Sequence, residues 1–144
     1  SVQATAGGGG NMWLLDSAKN NFSVRHFAGN SSLPAIAAGG GAGTGAIVTL
    51  SPFANDVSGC ISATAGTSPI PLAAVFTVTF NTGFQHTPEC IILTPANAVT
   101  QQLVATKQVY IDQANTTTAT FTATSGTVAL TAGAAYKWYY LVIE

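Results

Sequence analysis

Short stretches in which apolar and polar residues alternate recur along most of this chain. Phe76, Val78 and Phe80 alternate with threonines, and a period of two places these apolar side chains on one face of a β-strand. Residues 81–88 favour turns, because Gly permits a positive φ and Pro lacks an N–H donor. The run CIIL at residues 90–93 is apolar on both faces, as in a strand covered on both sides. We therefore expect two core strands joined by a folded connection, residues 74–80 pairing with residues 90–93 as a central hairpin.

Similar short segments on both sides of this region predict further strands. Gly or Pro separates them every 8 to 12 residues or so, and no window has the period of an amphipathic helix. This pattern predicts an all-β fold, an antiparallel β-sandwich of the jelly-roll kind. The further predicted strands are residues 12–15, 22–27, 33–38, 47–50, 58–64, 108–111, 118–124, 128–130 and 136–143.

The last predicted strand, YKWYYLVI at residues 136–143, carries large side chains on both faces. Trp138 and Tyr140 share one face, and Tyr139 and Leu141 share the other. One face is expected to meet the core of the domain. The other face either meets a partner subunit, where Tyr and Trp are enriched, or is covered because the strand is central in a single sandwich.

The first 45 residues differ from the rest of the chain. They contain glycine runs at residues 7–10 and 39–45 and only two or three short strand candidates. Isolated hairpins are marginally stable in water, so such a segment is stable if copies from several chains wrap together. We expect residues 1–45 to be a thin segment ending in a flexible Gly-rich joint, and residues 46–144 to be the sandwich domain.

Charge is scarce in this chain. Charged residues make up 6% of it, hydrophobic residues 47%, and the formal net charge is −1. Disorder is excluded because disordered chains combine low hydrophobicity with high charge. The few Lys and Arg residues are scattered, which argues against nucleic-acid binding. No apolar run is long enough for a transmembrane helix, and Ser1 in place of Met suggests a processed or partial chain. A surface this neutral suggests that sister subunits cover part of it.

The two cysteines, Cys60 and Cys90, both lie in predicted strands. No CxxC spacing occurs, and two Cys with two distant His do not make a zinc site, so we expect no metal and no cofactor. A disulfide between Cys60 and Cys90 requires their strands to be neighbours. The alternative is a pair of buried free thiols that act as small hydrophobic side chains.

The sequence contains no strong catalytic pattern. His86 lies near Glu89 and could act as an acid or base with it, but a loop His beside a proline is more often a solvent-facing polar residue. The few carboxylates are widely spaced, and no GxSxG motif or phosphate-binding loop occurs. We therefore expect a protein that is not an enzyme.

Five pieces of the chain stand out by their order and spacing. They are AGTGAIVTL (42–50), SGCISATAGTSP (58–69), VFTVTF (75–80), TPECIILTPANA (87–98) and ALTAGAAYKWYYLVI (129–143). Together they resemble a recurrent C-terminal domain of phage tail fibres and of fibre-like proteins encoded in bacterial genomes. Within the last two pieces, LTPANA and YKWYY are the most specific parts of the resemblance.

The resemblance implies a homotrimeric β-sandwich tip, with residues 1–45 as the end of a fibre shaft. It also implies an extracellular adhesin, on a phage tail fibre or a bacterial surface such as that of a predatory bacterium, that binds an envelope receptor, often a glycan, on a target bacterium. Insertion into a membrane is not expected. Two alternatives are a structural domain that trimerises and caps a fibre, and a capsule depolymerase.

Loop residues are the expected ligand contacts, because loops vary and carry recognition in such domains. Neutral amides hydrogen-bond sugar hydroxyls, and the aromatic rings of Phe53 and Phe84 are candidates for stacking on sugars. Ordinary loop polarity, and core or interface packing of the two rings, are the alternatives. The candidate ligand-binding residues are Asn55, Asp56, Gln85, His86, Asn97, Gln101 and Gln102.

Overall fold

The computed structural model describes residues 14–16, 21–23 and 32–144. The two short N-terminal segments form strands β1 (Leu14–Asp16) and β2 (Asn21–Ser23), which pair antiparallel. The other predictions for the first 31 residues, including the shaft, lie outside the described residues.

Residues 32–144 form an antiparallel β-sandwich of two four-stranded sheets, which confirms the predicted all-β fold. Strand order is β4-β5-β10-β7 in the first sheet and β3-β6-β9-β8 in the second. A jelly-roll connectivity stays a prediction. The strands are β3 (Ala35–Ala38), β4 (Ile47–Leu50), β5 (Ser58–Thr64), β6 (Ala74–Thr79), β7 (Cys90–Pro95), β8 (Val109–Asp112), β9 (Thr120–Ser125) and β10 (Ala135–Ile143).

Helical structure in the sandwich is limited to single turns. The only α-helix among the described residues is α1 (Ala98–Gln101), and short 3-10 turns occupy Gly40–Ala42, Ala105–Lys107 and Gln113–Asn115. None of the described helices is long and apolar enough to cross a membrane.

The core lies between the two sheets and is rich in aromatic side chains. Phe76 and Phe121, from the second sheet, are fully buried. Phe76 packs on Trp138 and Phe121 packs on Tyr140, each with ring centroids 5.6 Å apart. Alternation along β10 therefore sends Trp138 and Tyr140 into the core, as the sequence predicts, while Tyr139 points outward and is 57% exposed. What covers that outward face stays a prediction.

The expected pairing of residues 74–80 with residues 90–93 is wrong. β6 lies in the second sheet between β3 and β9, and β7 is an edge strand of the first sheet, paired only with β10 among the described residues. The connection between them spans residues 80–89, far longer than the 2–5 residues of a usual hairpin loop, so it can cross from one sheet to the other. Ile92 is 46% exposed, so β7 is not covered on both faces in the single chain.

The expected domain boundary after residue 45 also needs correction. β3 pairs with β6, so the sandwich begins by Ala35. The glycine segment after β3 is packed and is not a free joint: Ala42 is fully buried, and the Gly39 N–H donates to the Val75 carbonyl at 3.0 Å. A Cβ on Gly41 would lie 2.3 Å from the Ala73 carbonyl oxygen, which explains why glycine is required there.

Residues 128–130, a predicted strand, are not a strand; Leu130 instead anchors the connection between β9 and β10 in the core, at 4% exposure.

The two ends of the sandwich carry different loops. The proximal end is where β3 begins, so the chain before residue 32 joins the sandwich there. It also carries Glu144 and the loops at residues 51–57, 80–89 and 113–119. The distal end carries the loops at residues 39–46, 65–73, 96–108 and 126–134.

Candidate functional site

The predicted ligand residues are divided between these two ends. Asn55, Asp56, Gln85 and His86 lie at the proximal end, whereas Asn97, Gln101 and Gln102 lie at the distal end. Because the ends are separated by the length of the strands, no single site contains all seven.

The polar groups of Asn55 hold its own loop together. Its side-chain oxygen accepts from the N–H groups of Val57 and Ser58, both at 2.9 Å. Its backbone carbonyl accepts from the hydroxyl of Tyr140. Asn55 therefore shapes the turn between β4 and β5, and its side-chain oxygen is already occupied.

Asp56 is buried and joins two proximal loops. It is 4% exposed, and its two carboxylate oxygens accept from the N–H groups of Asn81 at 2.6 Å and Thr82 at 2.8 Å. Burial, and then the negative charge of Asp56, raise the pKa of the Tyr140 phenol, while its hydrogen bond to Asn55 lowers it. These contacts make Asp56 a structural residue whose two carboxylate oxygens are already occupied by hydrogen bonds.

In the structure His86 contacts Glu144, and not Glu89, the partner considered from the sequence. Its Nδ1 lies 3.1 Å from the Glu144 carboxylate, which also accepts from the His86 N–H. The His86 side chain is 83% exposed, so the pair is well hydrated. No acid–base pair with Glu89 is seen.

A proximal cleft of about 290 Å³ lies beside this pair. Phe84 lines it but also packs edge-on against Phe80, with centroids 4.7 Å apart, whereas Phe53 is 92% exposed. The remaining lining residues are Asp56, Val57, Thr82, Gly83, Gln85 and Glu144.

The cysteines are not bonded to each other. Cys60 is half-buried on β5 and Cys90 is exposed on β7, and both are free thiols. β10 lies between these strands, where Tyr139 is opposite Cys60 and Ile143 is opposite Cys90. The intramolecular disulfide is therefore not formed, and neither thiol is buried as the alternative expected.

Asn97 begins helix α1 at the distal end. Its side-chain oxygen accepts from the Thr100 N–H at 2.9 Å as an N-cap, and its side-chain NH₂ donates to the Ala135 carbonyl at 3.1 Å. Gln101 and Gln102 follow and are exposed, and their amide groups have no hydrogen-bond partner among the described residues. Of the distal candidates, only the two glutamines present their amides outward.

A cleft of about 300 Å³ opens next to Gln102, and we call it the distal cleft. Its buried wall is Tyr136, 3% exposed, whose hydroxyl accepts from the Thr131 N–H at 3.0 Å. A hydrogen bond joins the 126–134 loop to the 96–108 loop: the Val128 N–H donates to the Thr106 carbonyl at 2.9 Å. The lining residues are Val99, Gln102, Leu103, Lys107, Thr131, Ala134 and Tyr136.

Within the described part of the chain, unusual backbone conformations lie at the distal end. Among the described residues, the non-glycine residues with positive φ are Ser68, Leu72 and Ala105, at 52°, 54° and 52°. L-residues disfavour this conformation by about 1–2 kcal/mol each. Such strain often accompanies binding loops, because the surrounding structure must hold it in place.

The two ends also differ in charge. The sandwich contains four carboxylates, at Asp56, Glu89, Asp112 and Glu144, and all of them lie at the proximal end. Lys107 lies in the distal 96–108 loop, and Lys137 lies in the distal half of β10. The described residues contain no group of three His, Cys, Asp or Glu side chains that could hold a metal ion.

The outer face of the first sheet carries a contiguous set of apolar side chains, the outer apolar patch. Tyr139, Leu141 and Ile143 alternate along β10 on this face, and Ile92 lies directly opposite Leu141 on β7. Tyr139 is 57% exposed and Ile143 is 47% exposed. The patch consists of Cys60, Cys90, Ile92, Tyr139, Leu141 and Ile143.

Comparisons of this chain with protein-family models, curated proteins and solved structures found no significant match. The resemblance to tail fibre tips therefore stays a prediction. Lys107, Thr131 and Tyr136 are not among the candidates predicted from the sequence. No local pattern points to them, because two loops that are distant in sequence bring them together.

Proposed function

We propose that this chain is the tip of a homotrimeric, tail-fibre-like adhesin, and that its distal end recognises a receptor on the envelope of a target bacterium. The observation that carries the proposal is the difference between the two ends. The chain enters the sandwich at the proximal end, so a fibre attached there would leave the distal end facing away from the fibre. The receptor class we favour is a surface polysaccharide, and the molecule would act outside the cell, on a phage particle or a bacterial surface.

The distal loops support a recognition role. Gln101 and Gln102 present exposed amide groups, which suit sugar hydroxyls. Near them, exposed apolar side chains such as Val99 and Val104 offer contact area for the C–H faces of a sugar ring. Backbone hydrogen bonds hold these loops and their strained residues in place before binding, and a preorganised loop loses less entropy when a ligand binds.

The outer apolar patch supports trimer formation. Isolated exposed hydrophobic residues are ordinary, but a contiguous set on one sheet face marks an interaction surface. Its exposed Tyr139 is of the residue type enriched at protein interfaces. Burial against sister chains would also explain how a protein with only 6% charged residues stays in solution.

Three copies of a weak site would be enough for adhesion. The distal cleft has a volume of only about 300 Å³, so a single site is expected to bind a saccharide only weakly. Linked sites bind with an effective concentration that can raise avidity by about 10² to 10⁴. This favours a repeating polymer on a cell surface over a small soluble ligand.

A structural cap without a ligand is the second candidate. The outer apolar patch favours it equally, because trimerisation alone would account for that surface. The two candidates differ at the distal end, since a cap needs no exposed amides there.

The assembly is tested with the full chain by measuring its solution mass. The wild-type chain is expected to be a trimer, and Tyr139→Glu in the outer apolar patch is expected to shift it to monomer. Thr79→Glu is the matched control, because Thr79 is exposed and points outward from the other sheet. A wild-type monomer at micromolar concentration would contradict the proposal.

Recognition is tested by binding the same chain to a panel of bacterial cells and purified surface polysaccharides. Gln101→Ala with Gln102→Ala is expected to weaken binding, and Gln85→Ala at the proximal end is expected to leave it unchanged. A trimer that binds none of these targets would favour the structural cap, and a polysaccharide shortened on incubation would favour a depolymerase.

A further inference from the structure

We propose that the distal cleft binds the anionic group of an acidic saccharide unit, a sugar carboxylate or a sugar phosphate. This inference rests on the proposed function and specifies its ligand class. It starts from the side chains that line the cleft, where Lys107 is the only charged residue and no carboxylate is present.

Two polar side chains of the cleft, Lys107 and Tyr136, offer hydrogen-bond donors. The Lys107 ammonium has three donors and no acceptor. The Tyr136 hydroxyl accepts from the Thr131 N–H, and its own O–H has no acceptor among the described residues. A buried tyrosine usually finds a partner for its hydroxyl, so this O–H is available to an oxygen atom entering the cleft. Anionic oxygens accept such bonds most strongly.

The position of the acids makes this end suitable for an anion. Glu144 follows β10, and Lys137 lies near its distal end, seven residues earlier. At about 3.3 Å per residue this separation is roughly 23 Å. The Debye length is about 8 Å at physiological ionic strength, so the Glu144 carboxylate hardly repels an anion in the distal cleft.

The size and walls of the cleft favour one sugar unit with an anionic substituent. Its volume of about 300 Å³ lies at the lower limit for small-molecule sites. Val99 and Leu103 provide apolar sides for the C–H face of a ring, and the exposed Gln102 amide can both donate to and accept from sugar hydroxyls. A nucleic acid is a poorer fit, because phosphate backbones require several cations and the described sandwich has only Lys107 and Lys137.

The ligand class is tested by NMR titration of the full chain with three probes: a galacturonic acid trisaccharide, its methyl ester and glucose 6-phosphate. The ester has the same ring and hydroxyls without the charge. We expect one or both anionic probes to bind in the millimolar range, with shifts at Lys107 and Tyr136, and the ester to bind about fivefold more weakly. Preference for the trisaccharide assigns a carboxylate, and preference for the phosphate assigns a sugar phosphate. Equal binding of acid and ester, or no binding of either anion at tens of millimolar, would overturn the inference.

The residue assignment is tested with charge variants. Lys107→Gln is expected to weaken binding of the anionic probe about fivefold and to abolish its salt dependence, while Lys107→Arg retains most of it. Lys137→Gln is the matched control, because Lys137 lies outside the cleft, and should change affinity less than twofold. Equal effects of the two glutamine variants would indicate general electrostatic attraction and would overturn the site.

The variants also distinguish failure of this inference from failure of the proposed function. If wild-type and Lys107→Gln chains bind target cells equally well, the cleft does not recognise the receptor, so this inference is overturned while the adhesin proposal stands. If the anionic probe binds through Lys107 but no cell or polysaccharide in the panel is bound, the cleft is supported and the adhesin proposal fails.

Discussion

The two ends of the sandwich hold their loops together by different means. At the proximal end polar side chains do so: the Asp56 carboxylate accepts from two N–H groups of another loop, and Glu144 contacts His86. At the distal end the contacts are chiefly between backbones, as between the Gly66 N–H and the Ala42 carbonyl at 2.8 Å. A loop held by its backbone leaves its polar side chains exposed and available to a ligand.

The comparison therefore separates polar residues that the fold already uses from those that remain available. Asn55 and Asp56 belong to the first kind, and Gln101, Gln102 and Lys107 belong to the second. Mutations at the proximal end should change stability more than binding, and mutations at the distal end should change binding at least as much as stability.

The largest expected effect on stability comes from removing the buried carboxylate at the proximal end. Asp56→Ala removes the acceptor of two short hydrogen bonds and should lower the free energy of unfolding by about 2–4 kcal/mol. Urea denaturation measures this value. Asp112→Ala is the control, since Asp112 is less buried and caps only its own turn, and should cost about 1 kcal/mol or less. Equal losses would show that Asp56 is not a special anchor.

A somewhat smaller effect is expected at the distal end from a glycine substitution. In Gly126→Ala the new Cβ would lie 2.2 Å from the Thr106 carbonyl oxygen, so the 96–108 loop must move. Overpacking of this kind costs about 1–3 kcal/mol, and receptor binding should fall as well because Lys107 moves with that loop. Gly83→Ala at the proximal end meets Thr118 at 3.2 Å and needs only a small shift. Thermal unfolding and binding of both variants check the prediction, and unchanged binding in Gly126→Ala would contradict it.

Strand positions could be predicted from the sequence, but strand partners could not. The segments Ile47–Leu50 and Ser58–Thr64 have the predicted bounds, because alternation of side chains is a local property. Pairing depends on residues far apart in the chain, so the separation of β6 and β7 into different sheets has no local signal. The inclusion of β3 in the sandwich was missed for the same reason, since its partner is β6.

The candidate site followed the same rule. Loop amides and acids are easy to find in a sequence, but their hydrogen-bond partners are not. Asp56 looked available because its partners, Asn81 and Thr82, are about 25 residues away in the chain. The distal cleft was missed because Lys107 and Tyr136 come from segments that only the folded chain brings together.

At the proximal end, the pH dependence of stability should differ between the wild-type chain and a variant that lacks the Tyr140 phenol. Burial and the charge of Asp56 raise its pKa, so the folded chain keeps the phenol protonated where the unfolded chain begins to ionise, above about pH 10. The contribution of the protonated Tyr140 phenol to the free energy of unfolding is fully present below that pH. It is lost as the pH rises, by up to about 1.4 kcal/mol per pH unit. Tyr140→Phe should cost about 1 kcal/mol at neutral pH, through its lost bond to Asn55. The cost should shrink or reverse above pH 10 or so. A difference between the two chains that is independent of pH, in denaturation curves from neutral to alkaline conditions, would contradict this.

The smallest expected effect is a change in the free energy of unfolding when one alanine at each end is replaced by glycine. The two substitutions are expected to change it in opposite directions. Ala105, at the distal end, has a φ of 52° and is exposed, so Ala105→Gly relieves backbone strain. Glycine also makes the unfolded chain more flexible, and the two effects should leave a net gain of up to about 0.5 kcal/mol. Ala119, at the proximal end, is exposed and has a negative φ, so Ala119→Gly should lose about 0.5–1 kcal/mol. Chemical denaturation of the two variants side by side measures the difference between their free energies of unfolding, in which shared errors cancel. A loss of the same size at both positions would mean that the distal loops carry no strain that glycine can relieve, and that only their backbone hydrogen bonds preorganise them.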